Sequence, residues 1–78
     1  MTGKLYIVAT PIGNLGDISI RAVDILKSVD LVLAEDTRHS KKLFAHYEIG
    51  TSLRAFHEHN EKGKTEAIIN KINEGKSI

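Results

Sequence analysis

Three short polar segments hold the side chains of this sequence that are suited to chemistry: residues 10–17, 35–38 and 57–60. Glu35, Asp36 and His57 are groups that can accept a proton from a substrate. Arg38 has a planar guanidinium, the donor shape that best matches a phosphate or a carboxylate. These residue types indicate acid-base chemistry together with recognition of an anionic group.

Six alternating elements predict where these segments lie. Strands are predicted over residues 4–10, 30–35 and 52–57, and helices over residues 19–28, 37–47 and 60–74. This alternation predicts an α/β fold with a parallel sheet and right-handed crossovers. In such a sheet the carboxyl ends of the strands share one edge, where ligands bind. The residues expected along that edge are Pro11, Ile12, Gly13, Glu35, Asp36, Arg38 and His57.

The apolar residues of the predicted helices recur at helical spacing and mark the faces expected to turn to the core. Ser19 is predicted to cap the first helix, Gly50 to end the second in a left-handed conformation, and Gly75 to follow the third. The inward residues are predicted to be Ile20, Val23, Leu26 and Val29, then Leu43, Phe44 and Tyr47, then Ile68, Ile69 and Ile72.

The composition excludes several classes of protein. With 41% hydrophobic residues and no apolar run near the roughly 20 residues of a bilayer span, the sequence is not a membrane segment. It has no cysteine, which excludes a disulfide framework or a thiolate metal site. Residues 5–9 are too short an apolar run for a signal peptide, so we expect a cytoplasmic protein. A chain of 78 residues also implies a thin core.

The net charge of +1 comes from eleven Lys and Arg and ten Asp and Glu, spread along the chain without a block of one sign. A stand-alone nucleic-acid binder held by counterion release needs a basic stripe, so this balance argues against one. It leaves open an enzyme that modifies nucleic acid and has its basic surface elsewhere.

Two nucleotide-binding motifs are rejected on spacing. The Gly-Lys-Thr at residues 63–65 has Glu58 where a Walker loop needs its first glycine. The first polar segment supplies only Gly13 and Gly16 of the three glycines in a dinucleotide-binding fingerprint. The four histidines also lack clean ligand spacing, so no metal site is expected.

Three stretches of the sequence carry a family resemblance: LYIVATPIGNLGDISIRAVDIL, VDLVLAEDTRHSKKLFAHYEI and FHEHNE. Together they resemble the ribosomal RNA small-subunit methyltransferase I family, the cytidine 2′-O-ribose methyltransferases of the tetrapyrrole methylase superfamily. The resemblance covers essentially the whole chain. Superfamily members that act on corrins, porphyrins or diphthine have a Gly-x-Gly-x-Gly loop where this chain has Thr-Pro-Ile-Gly-Asn at residues 10–14, which favours the RNA branch.

The resemblance implies a larger enzyme than these 78 residues. It implies a two-domain α/β protein, usually a homodimer, that holds S-adenosylmethionine between its domains and methylates the ribose of a cytidine in small-subunit ribosomal RNA. The chain resembles the first part of the N-terminal domain, with residues 76–78 as the start of a fourth strand. The rest of that strand and the C-terminal domain would follow, so the 78 residues alone are expected to be inactive.

The resemblance also implies roles for the loop after the first predicted strand. Alignment with diphthine-type relatives places Pro11 and Ile12 against the cofactor, with Gly13 allowing close approach of the backbone. Asn14 and Arg38 are expected to bind substrate. Asn14 serves equally well as a turn former.

Glu35, Asp36 and His57 are the expected proton acceptors for a ribose hydroxyl, which is a poor nucleophile. The local alternative is an ion pair of Glu35 or Asp36 with Arg38 and an N-cap at the second helix. Two other functions also stay open at this point. One is methylation of a corrin, porphyrin or diphthine, and the other is a non-catalytic nucleotide- or phosphate-binding module.

Overall fold

The computed structural model of the protein describes residues 2–11, 13–56 and 61–78. In chain order the elements are a 3-10 turn Leu15–Asp17, α1 Ile20–Ser28, β1 Val32–Ala34, α2 Thr37–His46, β2 Leu53–Ala55 and α3 Glu61–Asn73. Ser19 caps α1, as predicted, because its side chain accepts a hydrogen bond from the backbone N–H of Ala22 at 3.1 Å.

β1 and β2 form a parallel pair in which Val32 lies opposite Leu53 and Ala34 opposite Ala55. The crossover between them is α2, so the predicted α/β class with parallel strands is confirmed. Both strands have three residues, fewer than the predicted ranges 30–35 and 52–57.

The strand predicted over residues 4–10 is not formed as a strand. This segment makes a single step of a parallel ladder with the other end of the chain. Tyr6 N–H donates to the carbonyl of Ile78 at 2.8 Å, and Ile78 N–H donates to the carbonyl of Lys4 at 2.9 Å. The prediction is wrong because the segment has a neighbouring backbone only at this one step, and a longer ladder needs a partner along its whole length.

Residues 76–78 lie between this N-terminal segment and the start of β1. Asp30 N–H donates to the carbonyl of Ser77 at 2.9 Å, and Ser77 N–H donates to the Asp30 carboxylate at 2.8 Å. The two ends of the chain approach so closely that a Cβ added at Gly3 would overlap the carbonyl oxygen of Lys76. Only glycine fits there.

The core lies where α1 and α2 pack on the sheet, and its buried cluster is Val23, Leu26, Leu43, Phe44 and Ile49. Ile20, predicted to be inward, is 83% exposed. At about 100° per residue, Ile20 lies about 120° around the helix from Leu26, outside the buried face. On α3, Ile68 and Ile72 are half-buried, whereas Ile69 is 51% exposed, against prediction.

α2 ends at His46, one residue before the predicted end at residue 47. Tyr47 follows the helix as its C-cap, and Glu48 takes the left-handed conformation with φ of 56°. Gly50 does not adopt it, because Glu48 has already reversed the chain so that Ile49 can enter the core. Gly75 does take a positive φ, 98°, after α3.

Candidate functional site

A cavity of about 770 Å³ opens between the N-terminal segment, β1 and α3, and residues of α1 and α2 complete its lining. Its walls are mostly apolar, and Leu5 and Ile7 on one wall are 60% and 91% exposed. One end is polar, where the loop after the N-terminal segment meets the residues after β1. We call this end the polar edge, formed by Thr10, Pro11, Gly13, Glu35, Asp36 and His39.

The polar edge brings together four of the residues singled out from the sequence, namely Pro11, Gly13, Glu35 and Asp36. Two different loops supply them, so the loop after the first segment and the loop after β1 share one side of the molecule. Arg38 and Asn14 are not part of the described lining of this cavity. Ile12 and His57 lie outside the described residues.

Asp36 is bound on both of its carboxylate oxygens by Arg38. Arg38 Nε donates to Oδ1 at 3.1 Å and Nη2 donates to Oδ2 at 3.0 Å, while the Arg38 backbone N–H reaches Oδ1 at 3.0 Å. These bonds, the side-chain ones first, lower the pKa of Asp36 from 3.8 to about 2. The same pair raises the pKa of Arg38. Asp36 is also the N-cap of α2, so the local alternative of an ion pair plus a cap describes its observed contacts.

Glu35 differs from its neighbour in having no such partner. Its side chain is exposed at the polar edge, and among the described residues no hydrogen bond or ion pair holds it. A carboxylate with a pKa of about 2, such as Asp36, is a weak base. The geometry therefore favours Glu35 over Asp36 as a proton acceptor.

The loop over residues 13–17 is shaped by its own backbone. Gly13 has φ of 93°, which favours glycine, and a Cβ there would meet nothing within 4 Å, so conformation rather than crowding within the chain explains this glycine. Asn14 Oδ1 accepts a hydrogen bond from Gly16 N–H at 2.9 Å and caps the 3-10 turn. The observed contacts of Asn14 are thus those of a turn former.

Tyr47 anchors this loop through its side chain. The sequence predicted Tyr47 only as a core residue and did not predict this contact. The Tyr47 hydroxyl donates to the carbonyl of Leu15 at 2.7 Å, across 32 residues of sequence. The hydroxyl of a half-buried tyrosine usually has a hydrogen-bond partner, so a tyrosine on the core face of a helix was a sequence signal for such a contact. The bond ties the loop to the C-terminal end of α2.

Lys64, part of the rejected Walker-like Gly-Lys-Thr, donates from Nζ to the carbonyl of Ala55 at 3.1 Å. This lysine therefore links α3 to the end of β2.

Within the described ranges, no cluster of three or more His, Asp or Glu has the arrangement of a metal site. No helix among the described residues has the length and apolarity needed to cross a membrane.

The fold and the matched family model define the class of protein. The model described as "Tetrapyrrole (Corrin/Porphyrin) Methylases" matches residues 4–78, and the chain belongs to this family. The resemblance inferred from the motifs is confirmed by curated relatives named "Ribosomal RNA small subunit methyltransferase I". The relative from Vibrio cholerae is 55% identical over 74 residues, which are 95% of this chain and 26% of the relative.

Two further relatives with that name give the same result. The Bacillus subtilis protein is 54% identical over 76 residues, 97% of this chain and 26% of the relative. The Escherichia coli O157:H7 protein is 53% identical over 76 residues, 97% of this chain and 27% of the relative. The chain thus spans about a quarter of the length of the curated relatives it matches.

Proposed function

We propose that these residues form the N-terminal part of an S-adenosylmethionine-dependent methyltransferase that acts on the ribose 2′-hydroxyl of a cytidine in small-subunit ribosomal RNA. The observation that carries this proposal is identity of 53–55% across nearly the whole chain to three relatives named for methylation of that RNA. The Thr-Pro-Ile-Gly-Asn loop at residues 10–14, in place of a glycine-rich one, supports the same branch.

The reaction sets clear demands on the polar edge. The ribose oxygen would take the methyl group from the sulfur of S-adenosylmethionine, and the hydroxyl proton would pass to a base of this chain. S-adenosylmethionine supplies the activated methyl group when bound. The residues of this chain would hold the ribose hydroxyl in line with the methyl group and accept its proton. We assign the role of proton acceptor to Glu35 Oε. His57 is the other proposed acceptor.

Pro11, Ile12 and Gly13 are proposed to contact the cofactor. Pro11 and Gly13 line the polar edge near Glu35, whose negative charge suits a sulfonium cation. The cavity is open on its other sides, so these residues offer only part of a binding surface. The C-terminal domain of the whole protein is proposed to supply the rest, and the 78 residues alone should bind S-adenosylmethionine weakly and transfer no methyl group.

We also propose that residues 76–78 begin a strand that, in the whole protein, continues through the apolar part of the cavity. Val32 and Ala34 direct their backbone groups to β2, so Leu33 between them directs its own toward the cavity. On the opposite wall, Val8 makes no backbone hydrogen bond within the described part of the chain. A parallel strand placed between Leu33 and Val8 would form hydrogen bonds with the backbone groups of both and would cover the exposed Ile7.

Amide hydrogen exchange of Leu33 and Val8 tests the strand. Both amides should exchange at least about 100-fold more slowly in the whole protein than in the 78-residue chain. The amide of Val32, bonded to Ser52 in the structure, is the internal control and should change much less. Equal protection of Leu33 and Val8 in the two chains would contradict this proposal.

The whole protein is further proposed to be a cytoplasmic homodimer, as its substrate class and family resemblance suggest. The second candidate function is methylation of a corrin or porphyrin, which the description of the matched family favours. Transfer of tritiated methyl by the whole protein separates the two. We expect label at a cytidine 2′-oxygen of small ribosomal subunits and none on a tetrapyrrole. The opposite pattern would refute the RNA proposal.

A further inference from the structure

The outer surface of α2 has a local charge that the whole-chain balance hides. Of its ten residues, three are Arg or Lys, two are His and none is acidic. The rest of the chain has eight Lys and Arg against ten Asp and Glu, a net charge of −2. We call this the α2 basic surface, and it consists of Arg38, His39, Lys41, Lys42 and His46, all exposed.

Helical spacing explains why these side chains face away from the core. Leu43 and Phe44 are buried, and at about 100° per residue Arg38 and Lys42 fall on the opposite side of the helix, while Lys41 lies at the flank of the buried face. Their exposure therefore follows from the packing of α2, and its charged side remains free to contact a partner.

The positive charge of this surface is only partly neutralised within the chain. Asp36 pairs with Arg38 at 3.0 Å and lies 4.0 Å from His39 Nε2. Lys41 and Lys42 have no ion-pair partner among the described residues. Two adjacent lysines without a counter-charge form a local attraction for anions.

The α2 basic surface also adjoins the proposed site. A second cavity of about 340 Å³ lies between α2 and the loop, and its lining includes Pro11, Gly13, His39 and Lys42. Its lining shares Thr10, Pro11, Gly13 and His39 with the polar edge. An anionic strand lying along α2 would thus pass directly beside the place where the proposed reaction occurs.

We propose that the α2 basic surface binds the phosphate backbone of the RNA substrate next to the nucleotide that is methylated, with Lys41 and Lys42 as the main contacts. This proposal rests on the proposed function for the identity of the substrate class. Phosphate contacts fix the register of an RNA strand without reading its bases. A fixed register is required to place one ribose in line with the methyl group.

The test uses the whole protein with both lysines neutralised, Lys41→Gln and Lys42→Gln together. The matched control is Arg21→Gln with Lys27→Gln, two exposed cations on α1, which removes the same charge. Binding of a labelled single-stranded oligocytidylate is measured by fluorescence anisotropy at several salt concentrations. The α2 variant should bind about tenfold more weakly, and its log–log salt slope should fall by about 1.4, or 0.7 for each lysine.

Kinetics on small ribosomal subunits provide the second readout. The α2 variant should raise KM for the subunits about tenfold and leave KM for S-adenosylmethionine unchanged, while the control variant changes neither. Equal effects of the two variants on RNA binding would overturn the proposal, as would normal RNA binding by the α2 variant, which would point to a protein partner. Absence of methyl transfer to subunits by the unsubstituted protein would instead refute the proposed function.

Discussion

The two sides of this small sheet are built differently. α1 and α2 bury Val23, Leu26, Leu43 and Phe44 against it. On the other side, no described side chain of α3 is buried, and Ile69 is half exposed beside the open cavity. The first side, the closed side, is a buried core whose Leu26, Leu43 and Phe44 also border the cavity, whereas the second, the open side, is a partly exposed apolar wall.

The contacts that hold each side differ in the same way. α1 and α2 are held by apolar packing, with Thr51 Oγ1 donating to the last turn of α1 at 2.6 Å. α3 has two half-buried isoleucines, Ile68 and Ile72, and polar links from Lys64 to β2 at 3.1 Å and from Gly3 N–H to the carbonyl of Ile72 at 2.7 Å. The closed side therefore connects the loop of the polar edge to a buried core through Leu15 and Tyr47, whereas no described side chain of α3 on the open side is buried.

The largest expected effect comes from a cavity in the closed core. Leu43, 2% exposed, changed to Ala should lower the free energy of unfolding by about 3 kcal/mol. Ile69→Ala on the open side, the matched control, should change it by less than about 0.5 kcal/mol in the 78-residue chain. Urea unfolding measures both, and equal losses would contradict the comparison. In the whole protein, the cost of Ile69→Ala should rise to about 2 kcal/mol if its side is covered.

Gly3 offers the next largest effect, because it joins the two ends of the chain. Gly3→Ala should cost about 2 kcal/mol, since its methyl group must displace the Lys76 backbone. Gly63→Ala in α3, where a Cβ meets nothing within 4 Å, should instead stabilise by up to about 1 kcal/mol. Thermal unfolding of the two variants distinguishes them. A neutral Gly3→Ala would show that residues 2–4 and 75–77 do not approach as described.

A smaller effect is expected at the loop anchor. Tyr47→Phe removes the bond to the Leu15 carbonyl and should destabilise by about 1 kcal/mol. Tyr6→Phe is the control, because none of the described hydrogen bonds comes from its hydroxyl. Faster amide exchange over residues 15–17 in Tyr47→Phe alone would place the loss in the loop. An unchanged loop would rule out the anchoring role.

The smallest effect concerns the exposed Asp36–Arg38 pair. The Asp36 pKa is lowered to about 2, so the pair's stabilisation is present above the unfolded value near 3.8 and is lost as pH falls through about 2. Carboxyl-carbon NMR titration should give that low pKa, and Arg38→Ala should return it toward 3.8. Arg21→Ala, remote from the pair in sequence, should leave it unchanged. A normal pKa in the unsubstituted chain would contradict the bidentate geometry.

The sequence predicted the closed side better than the open one. Val23, Leu26, Leu43 and Phe44 were identified because a local helical period determines which residues face the core. The prediction of a strand over residues 4–10 was wrong because strand formation depends on a neighbouring backbone, which no local sequence pattern reveals.

The polar edge was predicted in outline, and an ion pair with Arg38 was one of the alternatives that the sequence left open. Pro11, Gly13 and Glu35 line one end of the cavity, as the expected shared edge of the carboxyl ends required. The sequence alone could not separate Glu35 from Asp36, because only the geometry shows which carboxylate Arg38 binds. The α2 basic surface was missed because charge was averaged over the whole chain, although residues 37–46 contain no acidic side chain.

Glu35 provides the most direct test of the account of the site. Glu35→Gln in the whole protein should lower kcat for methyl transfer to small ribosomal subunits by about 10²–10⁴-fold, because the hydroxyl loses its proton acceptor. KM for the subunits should change little, and the matched change Glu74→Gln, directly after α3, should leave both constants unchanged. A kcat of Glu35→Gln within about twofold of the unsubstituted enzyme would contradict the assignment of Glu35 as the base.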